Sequence, residues 1–405
     1  MKILFYNHTG QIGGAERLLL LILGRLDRRR FDPVVICPAE GPLARMVAEL
    51  AVPCETVGLL KARFSWRITH LLRALASLRG AAGQLRERVV EAAPDLIHAN
   101  SVRAGLVAMA ATIGLGVPVI WHLHDLLPPH PLSTAIRCCA AVSARARLLA
   151  VSQAVAENFR GRVWHLVRTR GRVKVIHNAI EITKFQASPV RRPAVRDELH
   201  LGGAEPVVGI IGYLAPCKGQ LELLGAFAEV AAHLPRAVLL VVGAPLFDRG
   251  HDYLLRLIQA ANALGIADRV RFLGPREDIP AIMRALDLLV VNSWAEGFGL
   301  VIVEAMASGT PVLATAVGGV PEIISHGKNG WLIPPRDEQT LAAAIVALSR
   351  QPQLRAEIAE QGRQAALTRF SAARYIGDLE SFYRDCSQEL KVIPEVRSER
   401  LRVKS

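Results

Sequence analysis

Short apolar runs alternate with longer amphipathic stretches along most of this chain. In the first half, runs at 2–7, 33–38, 54–57, 95–99, 118–123, 147–151 and 173–176 predict strands, with helical patterns near 14–26, 42–51, 65–92, 102–114 and 133–143. Strands that are apolar throughout belong to parallel sheets covered by helices on both faces. The first half therefore predicts a doubly wound α/β domain. The pattern lapses into a polar, Arg- and Pro-bearing stretch at 186–205, which reads as a linker. A second alternation follows, with strands at 207–212, 237–242, 270–273, 288–292 and 311–314. Its helices fall near 219–232, 253–264, 278–285, 300–308, 338–349 and 352–367. Two α/β domains are expected, 1–185 and 206–370, then one more helix within 371–390 and a mobile, charged tail at 391–405. Ligands of such sheets collect at the C-terminal strand ends, so the loops of both domains are expected to face a shared cleft.

The length of 405 residues fits two or three domains at about 150 residues each. Hydrophobic residues at 51% and charged ones at 21% exclude a disordered or collagen-like chain. The six cysteines (37, 54, 138, 139, 217 and 386) show no Cys-x-x-Cys pair. That argues against a disulfide framework or a structural zinc site and for a reducing compartment. With no leader-like opening and no apolar run near the ~20 residues of a membrane span, the expected location is cytoplasmic. The net charge of +13 is unevenly placed: residues 1–190 hold 25 Lys/Arg against 12 Asp/Glu, and 191–405 hold 24 of each. A basic half beside a neutral one points to an anionic partner, or else to an Arg-rich solvated surface.

Three loops offer chemistry. The turn after the first strand, His8-Thr9-Gly10-Gln11-Ile12-Gly13-Gly14-Ala15-Glu16, lets backbone N–H groups approach an anion, although it is not Gly-x-Gly-x-x-Gly. In the second half, Gly212-Tyr213-Leu214-Ala215-Pro216-Cys217-Lys218-Gly219 places a lysine where a strand gives way to a helix. A cation is disfavoured at that end of a helix dipole unless it meets a phosphate. The third runs from Ser293 to Gly309, with Glu296 in a Gly-rich turn and Glu304 inside the following apolar helix. A carboxylate among apolar neighbours needs a partner, and vicinal sugar hydroxyls would supply one.

Glu296 and Glu304 resemble the Glu-x7-Glu motif of the retaining glycosyltransferases of family 4. Gly13-Gly14-Ala15-Glu16, Val151-Ser152, Ile176-His177-Asn178, Phe272-Leu273-Gly274, Ala305 to Val312 and Gly318-Gly319-Val320-Pro321-Glu322 fit in order. The resemblance implies a GT-B fold, with an acceptor-side Rossmann-like domain first, a nucleotide-sugar domain second and a C-terminal helix crossing back to the first. It implies transfer of a sugar from a UDP- or GDP-type donor with retention and no cofactor. Glu304 would bind the donor ribose. Glu296 would contact the donor sugar, helped by backbone N–H groups around Gly297, Phe298, Gly299 and Leu300. Lys218 would neutralise the diphosphate, Gly14 would let its loop approach that phosphate, and Arg271 and Leu273 would hold the base. His124 would sit near the donor sugar; alone it would read as a buried structural histidine, and its place at a strand end expected to face the cleft favours the functional role. No Asp-x-Asp occurs, which agrees with metal independence.

Two departures stand out. The family's Arg before the Lys-Gly is Tyr213 here, so Arg276 or a first-domain cation compensates, or activity is low. Asn178-Ala179-Ile180-Glu181 replaces the more usual Asn-Gly-Ile-Asp. For the acceptor side, Arg63, Arg67, Arg73, Arg79, Arg86 and Arg88 interleave with Phe64, Trp66, Leu71, Leu72 and Leu75. This reads as a membrane-surface helix or as an amphipathic helix packed on the sheet. The expectation is a glycosyltransferase of polysaccharide or cell-envelope assembly, peripheral at the membrane, acting on a glycan or lipid-linked acceptor. The alternatives are a catalytically weak or inactive nucleotide-sugar-binding relative and an epimerase or phosphorylase. No nucleic-acid motif is present.

Overall fold

The computed structural model describes residues 1–60, 68–161, 173–186, 191–203, 205–245 and 251–391. The chain divides into two compact units. Met1–Val151, Val155–His177 and the chain from Ala373 form the first; Ser152–Ala154 and Asn178–Ala372 form the second.

In the first unit β1 (Lys2–Tyr6), β2 (Asp32–Pro38), β3 (Cys54–Val57), β4 (Leu96–Ala99), β5 (Val119–Leu123), β6 (Ala146–Ala150) and β7 (Val173–Val175) make one sheet. All its pairings are parallel, in the order β3-β2-β1-β4-β5-β6-β7. The apolar run of β1 explains its central place: Ile3, Leu4 and Phe5 are wholly buried, between β2 and β4. The helix Ala372–Lys391 belongs to this unit from its second residue and buries Tyr375, Leu379, Phe382, Tyr383 and Cys386, a helical stripe. Tyr383 packs on Phe31 and its hydroxyl lies 2.7 Å from His98 Nδ1, while the Glu380 carboxylate accepts from the Asp27 N–H at 3.0 Å.

The second unit repeats the pattern with β8 (Val207–Ile211), β9 (Val238–Val242), β10 (Val270–Gly274), β11 (Leu288–Val291), β12 (Val312–Thr315) and β13 (Trp331–Ile333). Their parallel order is β10-β9-β8-β11-β12-β13. Leu223, Leu224, Phe227 and Val230 of the helix Gln220–His233 join Val208, Ile210, Leu239 and Val241 of the sheet in one buried cluster. Each such side chain contributes about 1.5–3 kcal/mol by burial. In both sheets the order reverses beside the first strand, β1/β4 and β8/β11, and these switch points are where doubly wound folds take ligands.

Three expectations need correction. The stretch expected as a linker carries the helix Arg191–Glu198, whose Arg196 donates to Asp287 at 2.7 Å and to the Ala285 carbonyl at 3.1 Å. The first unit leaves the chain at His177 rather than residue 185 and resumes at Ala373, while Ile180 pairs with Ser371 within the second unit. The helices Gln153–Arg160, Ile182–Phe185 and Val320–Ile323 and strand β13 were not indicated by the apolar pattern. The tail at 392–405 lies outside the described residues.

Candidate functional site

At the switch point of the second sheet, β8 runs into Gly212 and Tyr213, and then a 3-10 turn, Pro216–Lys218. Gly219 follows with φ 68°, and a Cβ there would lie 2.1 Å from the Asn292 carbonyl at the end of β11. Only glycine tolerates both conditions. The Asn292 side-chain amide donates back to the Gly219 carbonyl at 3.0 Å, so the loop after β8 is fastened to the loop after β11.

That fastening brings Lys218 to Glu296. Its Nζ donates to Glu296 Oε2 at 2.6 Å, and the side chains are 20% and 15% exposed. Ser293 Oγ donates to the same carboxylate oxygen at 3.1 Å. The Glu296 turn is itself pinned: the Gly319 N–H donates to the Glu296 carbonyl at 3.0 Å, and Ser152 Oγ donates to the Gly297 carbonyl at 2.6 Å. Glu322 accepts from the N–H groups of Gln153 and Ala154, each at 2.8 Å, holding the Ser152–Ala154 segment of this unit. Lys218, Gly212, Asn292 and Ser293 line a small, open recess.

The Phe298 side chain is buried against Phe370, ring centroids 5.7 Å apart, so its own contribution to a ligand is its backbone. Gly299 caps the helix Leu300–Ala307, where Leu300 and Glu304 are half-buried. Arg271 and Leu273 are half-buried on β10, the edge strand, and Arg271 Nε is buried without a hydrogen-bond partner. Arg276 does not supply a second cation for a phosphate: Asp278 (2.8 and 2.9 Å) and Glu198 (2.9 Å) hold it, and those hydrogen bonds raise its pKa. Instead the Tyr213 ring lies 5.1 Å from Lys218 Nζ, within cation–π range.

The first unit has its own constellation at β1 and β4. Gly14 opens the helix Gly14–Arg25 and is exposed, and Glu16 reaches back to the Gly13 N–H at 2.9 Å as the returning half of a capping box. His124, half-buried after β5, lies 3.2 Å from Asn100 Oδ1 and stacks on His122 with ring centroids 4.0 Å apart. His122 Nδ1 in turn lies 3.1 Å from His98 Nε2. Burial pushes the pKa of His124 and of His98 down to about 3 and that of His122 well below its ordinary value. These rings are therefore neutral near pH 7.

The expected site residues thus fall into two groups. Lys218, Glu296, Gly297, Phe298, Gly299, Leu300, Glu304, Arg271 and Leu273 stand in the second unit, and Gly14 and His124 in the first. The sequence reading assigned no role to Ser152, Gly319 or Glu322, although the words Val151-Ser152 and Gly318 to Glu322 signalled them. It missed Asn7, Asn100, His98 and His122, which carried no signal. The basic helix divides. Its observed part, Ile68–Ala92, exposes Leu72 (61%) and Leu75 (55%) beside Arg73 and Arg79. Arg86 instead donates to the carbonyls of Ala111 and Ile113, and Arg88 pairs with Glu55 and Glu91. Arg63, Phe64, Trp66 and Arg67 lie outside the described residues. No described helix is long and apolar enough to cross a membrane.

Two doubly wound sheets of like order, with a lysine and a carboxylate joined at the second switch point, have the layout of a GT-B glycosyltransferase. Comparison with known proteins agrees. Residues 12–184 match the family described as Glycosyltransferase Family 4, and residues 191–365 match Glycosyl transferases group 1. D-inositol 3-phosphate glycosyltransferase of Rhodococcus jostii is 35% identical over 67% of this chain, a match spanning 62% of the relative's length. The enzyme of that name from Salinispora tropica is 30% identical, with 94% of this chain and 83% of the relative covered. Among solved structures, Anabaena Alr3699/HepE in complex with UDP-glucose superposes with a TM-score of 0.83 at 32% identity, covering 95% of this chain and all of that one. The chain belongs to glycosyltransferase family 4 and has the GT-B fold.

Proposed function

We propose that this protein is a retaining, metal-independent glycosyltransferase that moves a hexose from a nucleoside diphosphate sugar of the UDP type to an acceptor of cell-envelope glycan assembly. The observation that carries the reading is the part-buried Lys218–Glu296 pair at the β8/β11 switch point. In transfer the bond from the anomeric carbon to the diphosphate oxygen breaks, and the acceptor oxygen bonds to the same face. The acceptor's proton leaves with the diphosphate. Negative charge grows on the leaving group, and Lys218, held by Glu296, stabilises it electrostatically. Glu304 takes the ribose hydroxyls, and Arg271 and Leu273 flank the base. The UDP-glucose held by the Anabaena relative supports the donor class.

The basic first half and the exposed Leu72, Leu75, Arg73 and Arg79 support a lipid-linked acceptor approached from an anionic membrane. A small phosphorylated cyclitol is the second reading, favoured by the names of the relatives and by the same positive charge. The test is nucleotide release from UDP-, GDP- and ADP-sugars in EDTA, with acceptor lipid or inositol 3-phosphate, and product NMR to read the anomeric configuration. One donor, turned over in EDTA with retention, is expected. Binding of no nucleoside diphosphate by calorimetry would overturn the reading; binding without turnover under every acceptor would leave a nucleotide-sugar-binding relative.

A further inference from the structure

Behind His124 stands a chain of buried amides whose polarity is fixed from its far end. Asn7 and Asn100, at the C-terminal ends of β1 and β4, are fully buried. Asn7 Nδ2 faces two acceptors, the Thr9 carbonyl at 2.5 Å and Glu16 Oε1 at 3.2 Å. Turning this amide over would set its oxygen against both, so its Oδ1 must point the other way, towards Asn100. Asn100 therefore presents Nδ2 there, 3.0 Å from Asn7 Oδ1 and 3.3 Å from the Ala15 carbonyl. That leaves Asn100 Oδ1, an acceptor only, facing His124 Nε2 at 3.2 Å. Two of the fixing groups are backbone carbonyls, so the direction holds whichever way Glu16 is protonated.

We infer that Asn100, backed by Asn7, is a positioning residue that holds His124 as the Nε2–H tautomer and so reserves Nδ1 as the ring's acceptor. The hydrogen bond at one ring nitrogen decides the proton's place on the other. A neutral imidazole is needed for this, and burial of His124 supplies it. An acceptor nitrogen takes a hydrogen bond from a sugar hydroxyl and gives none to a phosphate. A neutral His124 with an acceptor Nδ1 suits a hydroxyl rather than a diphosphate oxygen, and its part in turnover rests on the family expectation that it serves the donor. The relay also joins His124 to the Gly13-Gly14 turn, because Glu16 spans Asn7 and the Gly13 N–H.

The test reads the tautomer directly. Long-range ¹⁵N–¹H spectra of the ¹⁵N-histidine-labelled full chain at pH 7.5, with His124 assigned by its loss in His124→Gln, should show a protonated Nε2 and an unprotonated Nδ1. Asn100→Leu keeps the branched shape and removes the acceptor together with the amide donor to Asn7. It should move both His124 nitrogens towards the tautomer average and lower kcat about 10- to 100-fold, with KM for the donor within about threefold. A protonated Nδ1 or an averaged ring in the unaltered protein would overturn the inference, and that arm needs no variant to fold. Unmoved nitrogens in a folded Asn100→Leu would overturn it as well. A shifted tautomer with unchanged turnover would uphold the relay and remove His124 from the donor reading instead.

Discussion

Lys218 is a cation whose surroundings have been arranged twice over. Glu296 fixes it at 2.6 Å, and the Tyr213 ring faces it at 5.1 Å, in the position where the family's arginine is expected. Arg276 is engaged instead by Asp278 and Glu198. Tyr213→Arg should therefore tighten binding of the nucleoside diphosphate about 3- to 10-fold by titration calorimetry, since a guanidinium pairs with phosphate through charge-assisted bonds. Weaker binding would mean that the cation–π contact, worth about 0.5–1 kcal/mol when exposed, matters more than the added charge. The carboxylates and the lysine stood out in the sequence through glycine-flanked loops and, above all, through the resemblance to family 4. Asn7 and Asn100 did not, since two single asparagines separated by more than ninety residues become partners only through the pairing of β1 with β4.

At the scale of elements, the strands were legible because a strand buried on both faces must be apolar along its length. The helix Arg191–Glu198 escaped by its Arg and Pro content. The central strands of the first sheet also break their own rule by burying His98 and His122. This has a consequence for acid stability. His98 and His124 drop to about 3 and His8 to about 4 in the fold, against an ordinary 6.5, chiefly through burial. Between those values the unfolded chain binds more protons than the folded one, so stability falls as the pH drops below about 6.5 and keeps falling towards 3. Each histidine contributes up to about 1.4 kcal/mol per pH unit within its window. Glu16 and Glu338, whose pKa values burial raises, work in the opposite direction. Urea unfolding should show a midpoint that falls steeply from pH 7.5 to pH 5; a level midpoint would contradict the neutral, buried cluster.

Across the whole molecule, one sheet order occurs twice, and the excess charge belongs to the first half of the chain. The architecture was legible because it follows from repeated local patterns. The unit boundaries were less so, because the first unit leaves the chain at His177 and resumes at Ala373. The two ends of the basic helix differ in how their arginines are used. Arg86 and Arg88 are used internally, whereas Arg73 and Arg79 remain at the surface beside two exposed leucines. Binding to anionic vesicles should weaken between about 50 and 200 mM salt, as screening requires. The double substitution Arg73→Glu/Arg79→Glu should reduce it several-fold in a sedimentation assay. Equal binding to neutral vesicles would point to the leucines alone, and none at low salt would exclude the membrane approach.

The central claim, that sugar transfer is carried out where Lys218 meets Glu296, is tested most directly by the rate of nucleotide release from the active donor. Unaltered protein, Lys218→Ala and Glu296→Gln are compared under saturating donor and acceptor, each variant checked for a folded transition. Loss of a preorganised charge at a developing diphosphate predicts a fall of about 10²–10³-fold for Lys218→Ala, and Glu296→Gln should fall comparably because it also releases the lysine. A folded Lys218→Ala or Glu296→Gln that turns over at the unaltered rate would contradict the account.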